Sequence, residues 1–345
     1  MADVNCHSEM RGFHADRVTL AQAQQDDMRE RRDAGRTRLS NGLELQGAAK
    51  PAFIHSQGSY AMRTMVQDSE NDYDIDDGAY FHEIDLINSS GRSLAPAEAR
   101  ERICEALKWD GRLSRKAETK RNCVRQQYPA GYHIDIPVYR IVPDTTQDSN
   151  QRYELASGDD WIKSDARSVT KWFNDLVGTL NYAERDGSQM RRVVKLTKAL
   201  SRSRDEWKPH TASGICLTKL VVDHFVAMDE REDLSVRGTW REILRALDIS
   251  TRIEHPVDPE ATLADHGNPE VEFFRDCLQS ALNTLSNLDA LDCDKQHARS
   301  IWDEVFHTEY FSTRPDPNGS GGKGPAVHQT SSDTARRDDA GERFG

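Results

Sequence analysis

The chain has 345 residues, of which 36% are hydrophobic and 30% charged, with a formal net charge of −12. That length suits one large domain or two intimate lobes, and the acidity disfavours a broad surface for duplex nucleic acid. No apolar run approaches the roughly 18–20 residues a membrane span needs. The N-terminus MADVNCHSEMRGFH lacks the apolar stretch of a signal peptide, so the expected location is the cytoplasm, without membrane attachment. Six cysteines are scattered with no C-x-x-C pair, which argues against a zinc ribbon or a disulfide framework and for reduced, buried thiols.

Residues 1–14 read as an N-terminal extension and 15–43 as one long helix, with Thr19 and Gln22 as a capping box and Gly42 at its far end. Its polar interior predicts a helix on the outside of a domain, touching it through Leu20, Met28, Leu39 and Leu43. A strand is expected at 51–57, ended by Gly58-Ser59, with a short helix from Tyr60 to Val66. Residues 72–76 alternate polar and apolar, the mark of a half-buried strand, so Tyr73 and Ile75 point inward while Asp72, Asp74 and Asp76 share the other face. A helix at 95–108 follows, then strands at 122–128 and 132–142 joined by the turn signal Pro129-Ala130-Gly131. From about residue 160 the pattern is helical, with helices expected at 165–182, 187–205, 213–229, 238–247, 269–288 and 294–310. Beyond Ser312 the composition is too polar to offset the entropy of ordering, which predicts a disordered tail over 312–345.

The chemistry concentrates in three features: a Gly-Ser turn after a strand, a D-x-D fifteen residues later, and a lone Asp on a later strand. Asp74 and Asp76 share one strand face, and Asp135 on a neighbouring strand would complete the ligand set of two Mg2+ ions, for which Mn2+ can substitute. Three carboxylates gathered without a cation would repel strongly. The turn Gly58-Ser59 offers backbone N–H groups and a hydroxyl to phosphates, and glycine lets the backbone approach closely. An acidic solvated loop is the plainer alternative, but it leaves Tyr73, Ile75, Tyr80 and Phe81 without a core. A calcium EF-hand fits Asp72, Asp74, Asp76 and Glu83 at positions 1, 3, 5 and 12, but Asp77 stands where that loop needs glycine. Two basic runs flank the acidic motifs. Seven Lys or Arg against two acids lie between Lys108 and Arg125, and a second run spans Arg191 to Lys208. Solvated helix faces and a triphosphate site explain these equally well. Trp161 and Trp172 read as packing anchors rather than base-stacking platforms, and His133 as partly buried support beside Asp135.

GSYAMRTMV, DYDIDDGAYF and YHIDIPVY together resemble the catalytic core of the cGAS/DncV-like nucleotidyltransferases of bacterial CBASS anti-phage systems. MRERRDAGRTRLSNGL is similar to their N-terminal spine helix, and the likeness continues through WIKSDARSVTKWF and RRVVKLTKALSRSRDEW to SGICLTKL, covering roughly residues 13–311. The resemblance implies an α+β fold: a polymerase-β-like nucleotidyltransferase lobe of mixed sheet and helices (15–160, with the spine helix), an all-helical C-terminal lobe (161–311), and a nucleotide cleft between them. It implies that Gly58 and Ser59 are the phosphate turn, that Asp74, Asp76 and Asp135 are catalytic metal ligands, and that Lys198 and Ser213 grip the donor triphosphate. Lys195, one turn earlier, is the alternative lysine. The tryptophan that often follows this lysine in the family is replaced by Ala199-Leu200. The scattered cysteines also exclude the metal-bound thumb of the animal DNA sensor.

The implied activity is stepwise transfer from ATP and/or GTP with release of pyrophosphate, closing a cyclic di- or trinucleotide. A linear nucleotidyltransferase, of the oligoadenylate or RNA-tailing type, would use the same three carboxylates, and a non-catalytic nucleotide-binding module is the alternative of another class. The tail ends in Arg343-Phe344-Gly345, which resembles tails that ubiquitin-transfer-like E1/E2 fusions attach to targets; an ordinary frayed terminus explains it equally well. A HORMA-type regulator is a further partner the family implies.

Overall fold

The structure is a computed structural model that describes residues 4–68, 73–110, 115–128, 131–143, 151–183 and 188–315. Met1–Ser312 forms one compact unit, and Thr313–Gly345 separates from it. Of that second unit only 313–315 are described, so the expectation of a disordered tail lies outside the described residues, as do Asp72 and the pair Pro129-Ala130.

In chain order the elements begin with α1 (His7–Phe13), a π-helical turn (His14–Val18) and α2 (Gln22–Leu45). Next come β1 (Phe53–Gln57), the one-turn α3 (Gly58–Ala61), β2 (Asp74–His82) and α4 (Pro96–Lys108). The sheet continues with β3 (Glu118–Thr119), β4 (Val124–Gln127), β5 (His133–Ile136), β6 (Val138–Pro143), β7 (Gln151–Ser157) and β8 (Asp160–Lys163). The helical half is α5 (Ala166–Ala183), α6 (Ser188–Ser201), α7 (Gly214–Asp223), α8 (Glu232–Ile249), a small hairpin of β9 (Ile253–Glu254) and β10 (Thr262–Ala264), α9 (Pro269–Leu285) and α10 (Lys295–Phe306).

The expected helix 15–43 is broken at residues 19–21. Ala21 is extended, its N–H bonds the Gln24 side chain, and Gln25 donates to Leu20 O at 2.8 Å, so the helix restarts at Gln22. Thr19 does not cap: its hydroxyl meets His14 and Lys195, and its carbonyl accepts from Gln67. Gly42 is a packing residue rather than the helix end, because a Cβ there would lie 1.8 Å from Ala106 O on α4. The four predicted contacts of this helix region, Leu20, Met28, Leu39 and Leu43, are all buried.

β2 is the spine of a mixed sheet ordered β3-β4-β5-β2-β6-β7-β8, with β1 also pairing β2 in antiparallel register. β5 and β6 are one long strand interrupted at Pro137, and both run parallel to β2 in a single register, from Asp74↔His133 to His82↔Ile141. Proline has no N–H to give the ladder, but its carbonyl still accepts from Ala79 N at 2.9 Å. The hairpin β7–β8 was not expected from the sequence. Gly158 turns it at φ +54°.

Two large apolar cores result among the described residues, beside a small third cluster of Tyr80, Tyr139 and Ile141. One lies between the sheet and the pair α2 and α4, around Ile75, Ile103, Leu107 and Ile134. The other lies among α5–α10 and also takes in Cys6, Met10, Phe13 and Val18 from the N-terminal segment. Each large side chain fully buried there stabilises the fold by about 1.5–3 kcal/mol. The fold is therefore α+β, a mixed-sheet lobe of polymerase-β type joined to a helical one. No helix among the described residues is long and apolar enough to cross a membrane.

Candidate active site

The register sets the carboxylates. Because alternate residues of a strand share a face, Asp74 and Asp76 of β2 stand beside His133 and Asp135 of β5, with Asp76 directly opposite Asp135. Ligand atoms of Asp74, His133 and Asp135 all lie within 4.8 Å of one another. Asp135 receives a bidentate pair of bonds from Arg125 on β4, at 2.8 and 2.7 Å, and that guanidinium also lies 3.7 Å from Asp74. The His133 ring meets the Asp74 carboxylate. Burial opposes charge on both, but their contact prevails, holding the Asp74 carboxyl below its usual range and raising the imidazole. Asp76 differs: burial and the adjacent Asp74 and Asp135 carboxylates push it up to about 7. The oxygen-rich donor set, and the difficulty of ionising Asp76 beside its neighbours, fit a hard divalent cation.

β1 ends opposite Asp76, at Gln57, so the chain turns into Gly58 beside that carboxylate. Gly58 has φ +65°, and a Cβ there would lie 2.3 Å from Asp76 Oδ2. Both the left-handed backbone and the close approach require glycine. The next two residues of D-I-D-D-G have structural work. Asp77, on the opposite face and buried, accepts from Arg36 of α2 at 2.7 and 2.6 Å and from Ser56 at 2.8 Å. Gly78 leaves room for Gln57, whose side chain joins the hydroxyls of Tyr139 and Tyr80 at 3.0 and 3.1 Å.

Facing the carboxylates is a cavity of about 570 Å³ lined by Gly58, Ser59, Asp74 and Asp76 on one side and by α6–α7 residues, Lys198 and Ser213 among them, on the other. Its size suits a nucleotide. Lys198 is buried, and its Nζ donates to Thr64 Oγ1 at 3.0 Å and Thr64 O at 3.3 Å. Burial, then Arg202 and Lys195, lower its pKa to about 7. Lys195 faces away, donating to Thr19 Oγ1 at 3.4 Å, and it does not line the cavity. Ser213 caps α7, its hydroxyl accepting from Cys216 N at 3.4 Å.

The structure thus brings Gly58, Ser59, Asp74, Asp76, Lys198 and Ser213 to one cavity, with Asp135 opposite Asp76 on the neighbouring strand but not in the cavity lining. The basic run 191–208 divides: Lys198, Arg202 and Lys208 line the cavity, whereas Arg192 is buried against Glu232 at 2.8 and 2.9 Å. Trp161 and Trp172 pack against the two cores and do not line the cavity. Arg125, Thr64 and His255 were not read from the sequence. Arg125 carried a signal, since a basic residue on the strand pairing with the Ile-Asp-Ile strand falls opposite its carboxylate; the other two depend on tertiary approach.

Residues 51–139 match the family described as cyclic GMP-AMP synthase DncV-like, nucleotidyltransferase domain. The cyclic GMP-AMP synthase of Vibrio cholerae serotype O1 is 27% identical over 214 residues, 49% of this chain, and the match spans about half (46%) of that relative's length. Among solved structures, V. cholerae DncV bound to a linear intermediate superposes with a TM-score of 0.67 at 19% identity, covering 88% of this chain and 96% of that one. CdnC of Escherichia coli with ATP gives 0.65 at 17% identity, covering 89% and 99%. The fold is the two-lobed one of these structures, and the carboxylate cluster lies within the stretch that matches the nucleotidyltransferase domain. Residues 51–139 therefore resemble a DncV-like nucleotidyltransferase domain, and the described chain shares the fold of the DncV and CdnC structures.

Proposed function

We propose that the chain is a cyclic oligonucleotide synthase, joining ATP and/or GTP into a cyclic di- or trinucleotide signal of bacterial anti-phage (CBASS) defence. The observation that carries this is the meeting of Asp74, Asp76, the Gly58-Ser59 turn and the buried Lys198 around one nucleotide-sized cavity, with Asp135 opposite Asp76 on the neighbouring strand. Asp74, Asp76 and Asp135 would hold two Mg2+ ions, which lower the pKa of the attacking ribose hydroxyl and neutralise charge on the triphosphate. The Gly58-Ser59 turn binds the phosphate chain through backbone N–H groups and the serine hydroxyl. Lys198 and Ser213 orient it from the facing wall, so that the α-phosphate lies beside Asp76. Arg125 fixes the Asp135 carboxylate. The linear intermediate then returns to the same cavity, and its free hydroxyl closes the ring with loss of a second pyrophosphate.

The reading places the enzyme in the cytoplasm. A HORMA-type regulator is proposed as a partner because the structural relative CdnC is known in a CdnC:HORMA complex. Conjugation of Gly345 by an E1/E2-type enzyme is proposed from the sequence alone, since that residue lies outside those described.

The test incubates the purified protein with labelled ATP, GTP, CTP and UTP and Mg2+ or Mn2+, beside an Asp74→Asn/Asp76→Asn variant. A phosphatase-resistant product that the variant fails to make is expected. Phosphatase-sensitive ladders would establish a linear polymerase instead, and nucleotide binding without product under every activating condition would leave a binding module.

A further inference from the structure

The phosphate end of the cavity is marked by carboxylates, the Gly58 turn and Lys198, but another part of its lining is different. Ala166, Val169 and Leu263 make an apolar wall with His255, which follows β9 and leads into the loop before β10. That loop is closed at its ends by His255 N, which bonds Ala261 O at 3.1 Å, and held at its middle, where Asp258 pairs with Lys163 of β8 at 3.0 Å. Inside it the His255 Nδ1 accepts from the backbone N–H of Asp258 at 3.0 Å and of Val257 at 3.4 Å. An Nδ1 that accepts fixes the neutral tautomer with its proton on Nε2. Burial lowers the ring's pKa, which favours that neutral form. The edge left to face the cavity is therefore a single, preoriented donor with no described partner.

We propose that His255 is a specificity-determining residue whose Nε2–H donates to an acceptor on the edge of the bound nucleobase. The proposal rests on the nucleotide reading of the cavity. A fixed donor on an apolar wall welcomes a ring nitrogen or carbonyl, such as purine N7 or O6 or a pyrimidine carbonyl. It disfavours an exocyclic amino group in the same place, because two donors would then meet without an acceptor. The charged groups elsewhere in the cavity supply what phosphates need, so a neutral donor here serves the base.

Two near-isosteric substitutions separate this role from loop support. His255→Asn keeps an acceptor at the Nδ1 position and removes the distal donor; His255→Gln keeps an amide donor at the distal position and loses the loop acceptor. Calorimetric affinities for non-hydrolysable ATP, GTP, CTP and UTP analogues are measured on wild type and both variants, with Tm alongside. The expected result is a base preference in wild type that falls about fivefold to tenfold in H255N at unchanged Tm, and survives in H255Q at lower Tm. An H255N protein with wild-type preference overturns the proposal, as does a wild type that binds all four analogues equally. A wild type that binds none overturns the nucleotide reading and this proposal with it.

Discussion

Lys198 stands buried with no carboxylate among its hydrogen-bond partners, both of which belong to Thr64. Its pKa of about 7 follows from burial reinforced by Arg202 and Lys195. In the proposed function a bound triphosphate would supply the missing negative charge and favour the ammonium form. At pH 8 the free enzyme carries mostly neutral Lys198 and the complex carries it charged, so binding takes up roughly one proton. Calorimetry of nucleotide binding in buffers of different ionisation enthalpy reads this directly. We expect uptake in wild type and its loss in Lys198→Met; equal uptake in both would show that another group titrates. The three aspartates were legible because strand alternation places Asp74 and Asp76 on one face and the Ile-Asp-Ile strand carries Asp135. Which lysine of VVKLTKAL reaches the cavity was not, because residues three apart on a helix diverge only once the neighbouring segment is in place.

At the scale of elements, the D-I-D-D-G segment does two jobs on two faces of β2. The face carrying Asp74 and Asp76 builds the site, while Asp77 locks α2 to the sheet through Arg36 and Ser56. From sequence Asp77 was only the residue that spoiled an EF-hand, because its partner lies 41 positions away. Replacing Asp77 with Asn leaves Arg36, whose side chain is about one third exposed, without its counter-charge. We expect a loss of about 2 kcal/mol, below the cost of breaking a fully buried pair, read as a lower urea midpoint. The double variant with Arg36→Met should lose less than the sum of the two single changes. Simple additivity would show the pair to be uncoupled. The β7–β8 hairpin escaped the sequence reading because its second strand, Asp160–Lys163, is four residues long with a charge at each end, too short for periodicity to recognise, as an edge strand can be.

For the whole molecule, the N-terminal segment matters more than the expected extension over 1–14 suggested. Met10 and Phe13 are buried in the helical core, and Glu9 is nearly fully buried, accepting from Lys295 at 2.8 Å and Arg299 at 2.9 Å. Burial alone would raise the Glu9 carboxyl, but those two cations overcome it and hold it at about 2. A depressed carboxyl stabilises the fold above its unfolded value and stops doing so as pH falls through the folded one. The contribution, about 3 kcal/mol, is therefore whole at neutral pH and fades between roughly pH 4.5 and 2. Thermal unfolding against pH should show a steep loss in that window, flattened in Glu9→Gln, which starts lower at pH 7. A variant parallel to wild type throughout would sink the assignment. The alternating sheet and the helical second half were readable from periodicity. The docking of α1 was not, since HSEMRGF is too short and polar to announce a partner nearly three hundred residues away.

One segment ties these scales together. After the Gly58 turn, Tyr60 and Met65 pack on the sheet core, whereas Met62 and Val66 belong to the helical core. The turn is stitched alternately into both halves, so the halves cannot part far without pulling its stitches. If the chain closes a cyclic oligonucleotide as proposed, opening to release that ring and gripping the phosphates would be the same coordinate. A conformation wide enough to release such a product would then also loosen the Gly58 turn, so each round would end with the phosphate site rebuilt.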